Sequence, residues 1–462
     1  MMFRSSRPLL AAIGVGCLGL WTAQASAANN VNSQASSTQV QKLQQQINQL
    51  QNQLQQVRQT QQTQQQQTQA ATTEQQESTG PKKKLSINGG VIGEHQWMHG
   101  NGSGDNKPGG DLVLDYVQVG IDGQLGNWTF KAEERFGTEN TVSDNNRFLH
   151  FAQAAYHFGP GNNQKVTGGY FQVPFGNLPL GYQSFWGSTA YYLGFTDTQA
   201  AGLGYTYEDN GWRFDIDAFK NDDLEQNATY NGRPDNGYDQ INGGNIRLGY
   251  TFDYAGGNSL NVSGAFRGGQ LRVEKANGGH DTGSRYAGTV AADAELGNWT
   301  LQGQFVQYSY DIPEEANGGA TGSSQSMYFS DYGYGYGEPI PAKGQLYAVN
   351  AMYTLPAEDI PLNLGPIDEV AIYDNYQYLH SSYGEHDSTG TRMGDIQSNQ
   401  LGLKVVAGPV YAWLDYMTGK NSATTYNTGP NGNDDNWHHR FNLAFGFYFN
   451  GTVVDSGQGP DL

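Results

Sequence analysis

From Lys84 to Phe449 the chain alternates apolar and polar residues in stretches of roughly ten, the length of a membrane-crossing strand, and the stretch recurs about sixteen times. Trp128, Phe130 and Ala132 share one face, while Thr129, Lys131, Glu133 and Arg135 share the other. Trp212, Phe214, Ile216 and Ala218 oppose Arg213, Asp215 and Asp217. Leu260, Val262, Gly264 and Phe266 oppose Asn261, Ser263 and Arg267. Near the end, Phe441, Leu443, Phe445, Phe447 and Phe449 oppose Asn442, Ala444, Gly446 and Tyr448. Successive strand residues point to opposite faces, so charges confined to one face mean that one side meets lipid and the other water. Glu134 breaks the outward pattern and is expected near the headgroup level.

Gly/Asn/Asp-rich breaks separate the stretches, and they alternate in length. Short ones fall at 123–127, 159–164, 208–211, 255–258, 297–298, 356–367 and 408–409. Long ones fall near 100–110, 137–146, 176–200, 221–243, 274–285, 311–344, 380–398 and 421–438. Short turns alternating with long loops predict an all-β fold, a transmembrane antiparallel barrel of about sixteen strands with both ends on the short-turn side. A second pattern agrees. Leu125-Gly126-Asn127-Trp128-Thr129 recurs as Leu296-Gly297-Asn298-Trp299-Thr300, with Asn210-Gly211-Trp212 a looser copy. Each indole would open an odd-numbered strand, placing all of them at one membrane level.

Composition fits a barrel better than it fits membrane helices. Hydrophobic residues make up 37% and the mean hydropathy is −0.63, so no segment beyond the first thirty residues could cross as a helix. A barrel needs apolar residues only at alternate positions. A secreted β-sandwich is the competing fold class.

The N-terminal part reads differently. Residues 1–27 have the form of a secretory signal: Arg4 and Arg7, an apolar run from Leu9 to Trp21, and Ala25-Ser26-Ala27 as a cleavage site. The single cysteine, Cys17, lies within it, so the exported chain would lack cysteine. Residues 28–81 form a Gln-rich segment expected in the periplasm. Within it Val40, Leu43, Ile47, Leu50, Leu54 and Val57 follow an a/d seam, which predicts a short coiled-coil helix over 38–60, disorder being the alternative. The barrel is expected over 82–450 and a C-terminal tail over 451–462.

Three segments carry a family resemblance. Gly169-Tyr170-Phe171-Gln172-Val173-Pro174-Phe175-Gly176 resembles the GxFxVPFG segment of the phosphate-selective porin O/P superfamily. Asp368–Tyr376 and Asp415–Asn421 resemble late-strand segments of the same porins. A signal, a Gln-rich heptad segment and then a barrel is similar to the layout of the dicarboxylate porins in that group. The resemblance implies a sixteen-stranded trimeric porin. It does not name the solute, because no ladder of Arg and Lys like that of the phosphate-selective members is legible along this chain.

A barrel of this size encloses water, so its chemistry lies in what lines the lumen. Strand parity points Lys131, Glu133, Arg135, Arg213, Asp215, Asp217, Arg247, Arg267, Lys404 and Arg440 inward. Opposed charges there would set ion preference, and Arg135, Arg213 and Arg267 could fork onto a solute carboxylate or phosphate. The alternative is that the arginines pair with Glu133, Asp215 and Asp217 and stiffen the wall. Loop 176–200 is the candidate constriction, being rich in Phe185, Trp186, Tyr191, Tyr192 and Phe195. Loop 311–344, with Tyr328, Phe329, Tyr332, Tyr334 and Tyr336, is the second candidate.

Motifs for catalysis are lacking: the chain has no G-x-S-x-G, no HExxH and no Walker loop. His95 and His99 have a metal spacing only on a helix, and His438-His439 adjoins a loop. The expectation is therefore a non-enzymatic outer-membrane diffusion channel for small hydrophilic solutes, anions among them. It needs no cofactor or metal, binds no nucleic acid, meets lipid, and assembles as a homotrimer. The alternative is a structural or adhesive surface barrel whose loops plug the hole.

Overall fold

The computed structural model describes residues 83–99, 110–137, 147–177, 188–221, 238–274, 279–311, 326–329, 338–356, 359–360, 367–382, 394–422, 425 and 436–456. The expected signal, the Gln-rich segment with its coiled coil, the loop residues Phe185 and Trp186, and residues 457–462 lie outside these.

The strands in chain order are β1 (Lys83–His99), β2 (Asp111–Leu125), β3 (Trp128–Gly137), β4 (Arg147–Phe158), β5 (Gln164–Gln172) and β6 (Gln199–Asp209). Then come β7 (Trp212–Asn221), β8 (Tyr238–Asp253), β9 (Ser259–Glu274), β10 (His280–Leu296), β11 (Trp299–Asp311), β12 (Ser326–Phe329) and β13 (Glu338–Pro341). The last are β14 (Lys343–Thr354), β15 (Glu369–Ser381), β16 (Ile396–Ala407), β17 (Val410–Lys420) and β18 (His438–Ser456). Sixteen of them pair antiparallel with their neighbours, and β1 pairs with β18 to close the barrel. The other two, β12 and β13, form a small hairpin within the second candidate loop.

The short breaks other than 356–367 are turns in the expected places. Asn210-Gly211 has positive φ at both residues, 48° and 83°, the type I′ geometry that matches strand twist. Gly126 and Gly297 carry φ of 59° and 61° at the first turn position, where an L side chain would be strained. The three indoles that follow these turns open β3, β7 and β11, each lying against a tyrosine of the next strand. Trp128–Tyr156, Trp212–Tyr250 and Trp299–Tyr353 have ring centroids 5.0, 4.7 and 5.0 Å apart.

Outer and inner faces divide as alternation requires. Val119, Ile121, Ile216, Val290, Val349, Leu401 and Phe445 are exposed on the outside. Gln118, Asp217, Thr289, Asn350, Gln400 and Asn442 are buried on the inside. Residues 451–456, expected in a tail, instead extend β18 and pair with Lys83–Ile87 of β1. A strand beside a long partner gains its backbone hydrogen bonds from that partner, whatever its own side chains prefer.

Candidate functional site

The connection between β5 and β6 turns into the barrel. Its described parts include Val173–Asn177, Ser188–Tyr191 and Leu193–Thr198, which are buried, and their backbone is held by side chains of distant wall strands. Asn245 on β8 donates to Pro174 O at 3.2 Å, and Arg267 on β9 donates to Gly194 O at 3.1 Å. Gln304 on β11 reaches Phe195 O at 3.4 Å, while the Ala190 amide donates to Gln377 on β15 at 2.9 Å. Asn177 donates to Asp293 on β10 at 2.9 Å. Within the segment, the Ser188 hydroxyl caps the one-turn helix Thr189–Tyr192 by accepting from Tyr191 N at 3.1 Å.

An apolar cluster fixes which wall the segment lies on. Phe171, Val173, Phe175, Leu193 and Phe195 pack with Leu271, Val306, Tyr308, Leu346 and Leu379, which point inward from β9, β11, β14 and β15. Phe195 and Tyr308 rings lie 5.2 Å apart. Burying each large side chain away from lumen water contributes roughly 1.5–3 kcal/mol, so the cluster outweighs any single polar anchor. This contact explains why inward positions of that wall are apolar.

Opposite, the wall is charged. Glu133 accepts from Arg135 Nε at 2.8 Å and contacts His150 Nδ1 at 2.7 Å. The other ring nitrogen of His150 faces the inserted segment, 3.8 Å from Asp197 and 3.1 Å from the Gln199 amide. His150 reaches this position because β4 bulges there: Glu133 faces Phe151 and Glu134 faces Leu149, leaving His150 as the extra residue. Arg135 also covers the Tyr116 ring at 4.6 Å. On β7, Arg213 binds Asp215 through Nε and Nη2 at 2.9 and 3.1 Å, and reaches Glu208 at 2.9 Å. Arg247 lies 3.7 Å from Asp215, and Asp217 accepts from Asn245 at 3.0 Å. Arg440 binds Glu94 and Asn442 at 3.2 and 3.0 Å, and Lys404 binds Glu369 at 3.1 Å.

Ten charged residues were expected inward, and seven of them are buried: Glu133, Arg135, Asp215, Asp217, Arg247, Arg267 and Arg440. Arg213 and Lys404 are half-buried. Lys131 is exposed and lies over Phe151, its ammonium 5.9 Å from the ring centre. Arg135 binds Glu133, Arg213 binds Asp215 and Arg440 binds Glu94, while Arg267 binds the backbone of the inserted segment and Asp217 accepts from Asn245 rather than from an arginine. Of the loop aromatics, Tyr191 is buried in the segment's helix, and Tyr192 is the next residue of that helix.

Several inward groups escape sequence reasoning. His150 and Asp115 are set by bulges, which parity counting cannot see. Glu94, Lys165, Arg285 and Asp293 obey parity and were legible in principle. The largest omission is an arrangement. Register places Asp215 opposite Arg247, Asn245 opposite Arg267, and Gly269 opposite Arg285. Arg213, Arg247, Arg267 and Arg285 therefore climb four adjacent strands in steps of two residues toward the long loops. The members of this staircase are too far apart in sequence for the arrangement to show there.

Among the described residues, no group of three or more His, Cys, Asp or Glu side chains could hold a metal ion. His95 stacks on Trp97 at 3.8 Å, and His439 meets the Tyr416 hydroxyl at 2.9 Å.

No protein-family model and no curated protein matches the chain. Solved structures do resemble it. Salmonella typhi OmpF, in a complex with daunomycin, has a TM-score of 0.52 at 16% identity, over 79% of this chain and 97% of that one. The outer membrane channel DcaP of Acinetobacter baumannii gives 0.49 at 14% identity, over 79% and 97%. An anion-selective porin from Comamonas acidovorans gives 0.46 at 13% identity, over 79% and 100%. The OmpF likeness is one of fold, a closed antiparallel barrel.

Proposed function

We propose that this chain is a porin of the bacterial outer membrane, a passive channel for small hydrophilic solutes. In this reading the short turns and both barrel ends face the periplasm, and the Gln-rich N-terminal segment lies there too. The apolar outer face meets lipid, three copies assemble, and the protein performs no catalysis. The observation that carries the reading is the β5–β6 connection folded inside a closed barrel with a polar inner face. A segment so placed narrows the passage to one side of the lumen, between its helix with Tyr191 and the charged wall of β3, β4 and β7. The inward charges then set solute preference. Purified protein in planar bilayers is expected to give discrete conductance steps, and silence at all voltages would reject the channel.

A second reading, a plugged surface barrel, draws support from how deeply the inward groups are buried, Glu94, Asp215 and Asn442 being 0% exposed. Liposome swelling in small sugars separates the two, since a plugged barrel would not swell its vesicles.

A further inference from the structure

A cavity of about 320 Å³ lies where β3 to β7 face the inserted segment, at the small end of ligand-sized pockets. Most charged groups around it are already matched. Arg213 and Asp215 bind each other through two hydrogen bonds. Asp197 accepts from Gln172 and Gln199, both at 3.2 Å, and faces His150.

Three groups have opposite charges near them at most, and no charged hydrogen-bond partner. Among the described residues, Lys131 and Lys165 have neither an ion pair nor a hydrogen bond; Lys131 meets only the Phe151 ring. Asp217 Oδ2 accepts from the neutral Asn245 amide. Its Oδ1 leans across Gly204 into the cavity, where a side chain on that residue would collide with it. The glycine is what lets a β7 carboxylate reach over β6. Phe151, Phe171 and Pro174 supply apolar surface between these charges.

Two ammonium groups and one carboxylate oxygen that make no hydrogen bond to a charged partner complement a solute with the reverse set, two carboxylates and one ammonium. We propose that this cavity binds a small acidic amino acid in transit, its carboxylates on Lys131 and Lys165 and its ammonium on Asp217 Oδ1. The inference rests on the channel reading and adds a solute class to it. Binding is by ion pairing alone, with no bond made or broken.

The test compares L-glutamate with glutarate, which has the same carbon skeleton and both carboxylates but no ammonium. Each is titrated into the full-length protein in a planar bilayer, and block of the ion current is recorded. Glutamate is expected to block at a roughly tenfold lower concentration, the factor one charge-assisted hydrogen bond supplies. Asp217→Asn keeps the shape and should erase that difference. Gly204→Ala, which displaces Asp217, should do the same. Lys131→Gln combined with Lys165→Gln should raise both blocking concentrations. Heat-modifiable mobility on gels shows that each variant is a folded barrel. Glutarate matching glutamate, or a preference that survives Asp217→Asn, overturns the assignment. Absence of any current step would instead refute the channel. In that event calorimetric titration of the detergent-solubilised protein with the same two compounds decides the site, equal affinity refuting it.

Discussion

Arg267 on β9 donates from Nη1 to the main-chain oxygen of Gly194 at 3.1 Å, so a wall strand holds the inserted segment by its backbone. Both groups are buried, and a charged hydrogen bond of this kind contributes about 1.5–3 kcal/mol. Arg267→Met should leave the carbonyl unsatisfied and loosen the segment while its apolar cluster stays. Single-channel records are then expected to be noisier and of larger mean step than wild type, with Arg267→Lys intermediate. Identical records would show that the anchor does not govern the passage.

The tryptophans after the short turns offer a test of membrane placement. Trp128, Trp212 and Trp299 are exposed at the first positions of β3, β7 and β11. Variants retaining only one of them should show the same quenching depth with lipids brominated at graded positions. Depths that scatter would place the barrel wrongly in the bilayer.

Much of this architecture is legible in the chain, for definite reasons. Alternation survives in β7 and β18 because lipid and water impose opposite demands on neighbouring residues. The turns survive because Asn210, Gly211 and Gly126 need backbone angles that few residues tolerate. The site is less legible. Parity finds Arg213, Asp215 and Asp217 but not His150, which a bulge brings in, nor the staircase, which depends on register between strands. The aromatic character of 176–200 marks the inserted segment, but Leu271 and Leu346, the wall it rests on, look in sequence like outward lipid-facing residues. The extension of β18 to Ser456 is set by pairing with β1, which no local pattern encodes.

Buried and half-exposed ion pairs should differ sharply in their effect on stability. Glu133→Ala takes a buried carboxylate from both Arg135 and His150, and breaking such a buried pair costs about 3–5 kcal/mol. Lys404 and Glu369 are screened by water, so Lys404→Gln should cost at most about 1 kcal/mol. Urea unfolding from lipid vesicles measures both. Equal shifts would contradict the burial described for Glu133.

A loop anchor gives a pH dependence. Asp395, just before β16, accepts from the Tyr378 hydroxyl at 2.5 Å and the Ser381 amide at 2.9 Å, and meets His380 at 3.1 Å. Burial pushes its carboxyl up, but these hydrogen bonds outweigh burial and hold it below the usual carboxylate range. A depressed carboxylate stabilises the fold above its unfolded value, about pH 4, and that contribution is lost as pH falls through the lower folded value. Proteolysis of the 382–395 connection should therefore quicken only below about pH 4, and Asp395→Ala should cleave as readily at pH 7 as wild type does in acid. Susceptibility in wild type that does not change with pH would remove the anchor from the account.

Ion current through the purified full-length protein in a planar bilayer bears most directly on the central claim, a water-filled passage narrowed by the β5–β6 segment. Discrete steps are expected, and they should enlarge when Arg267→Met and Phe195→Ala together free the segment from its wall. A folded, membrane-inserted barrel that passes no current, with or without those substitutions, would contradict it.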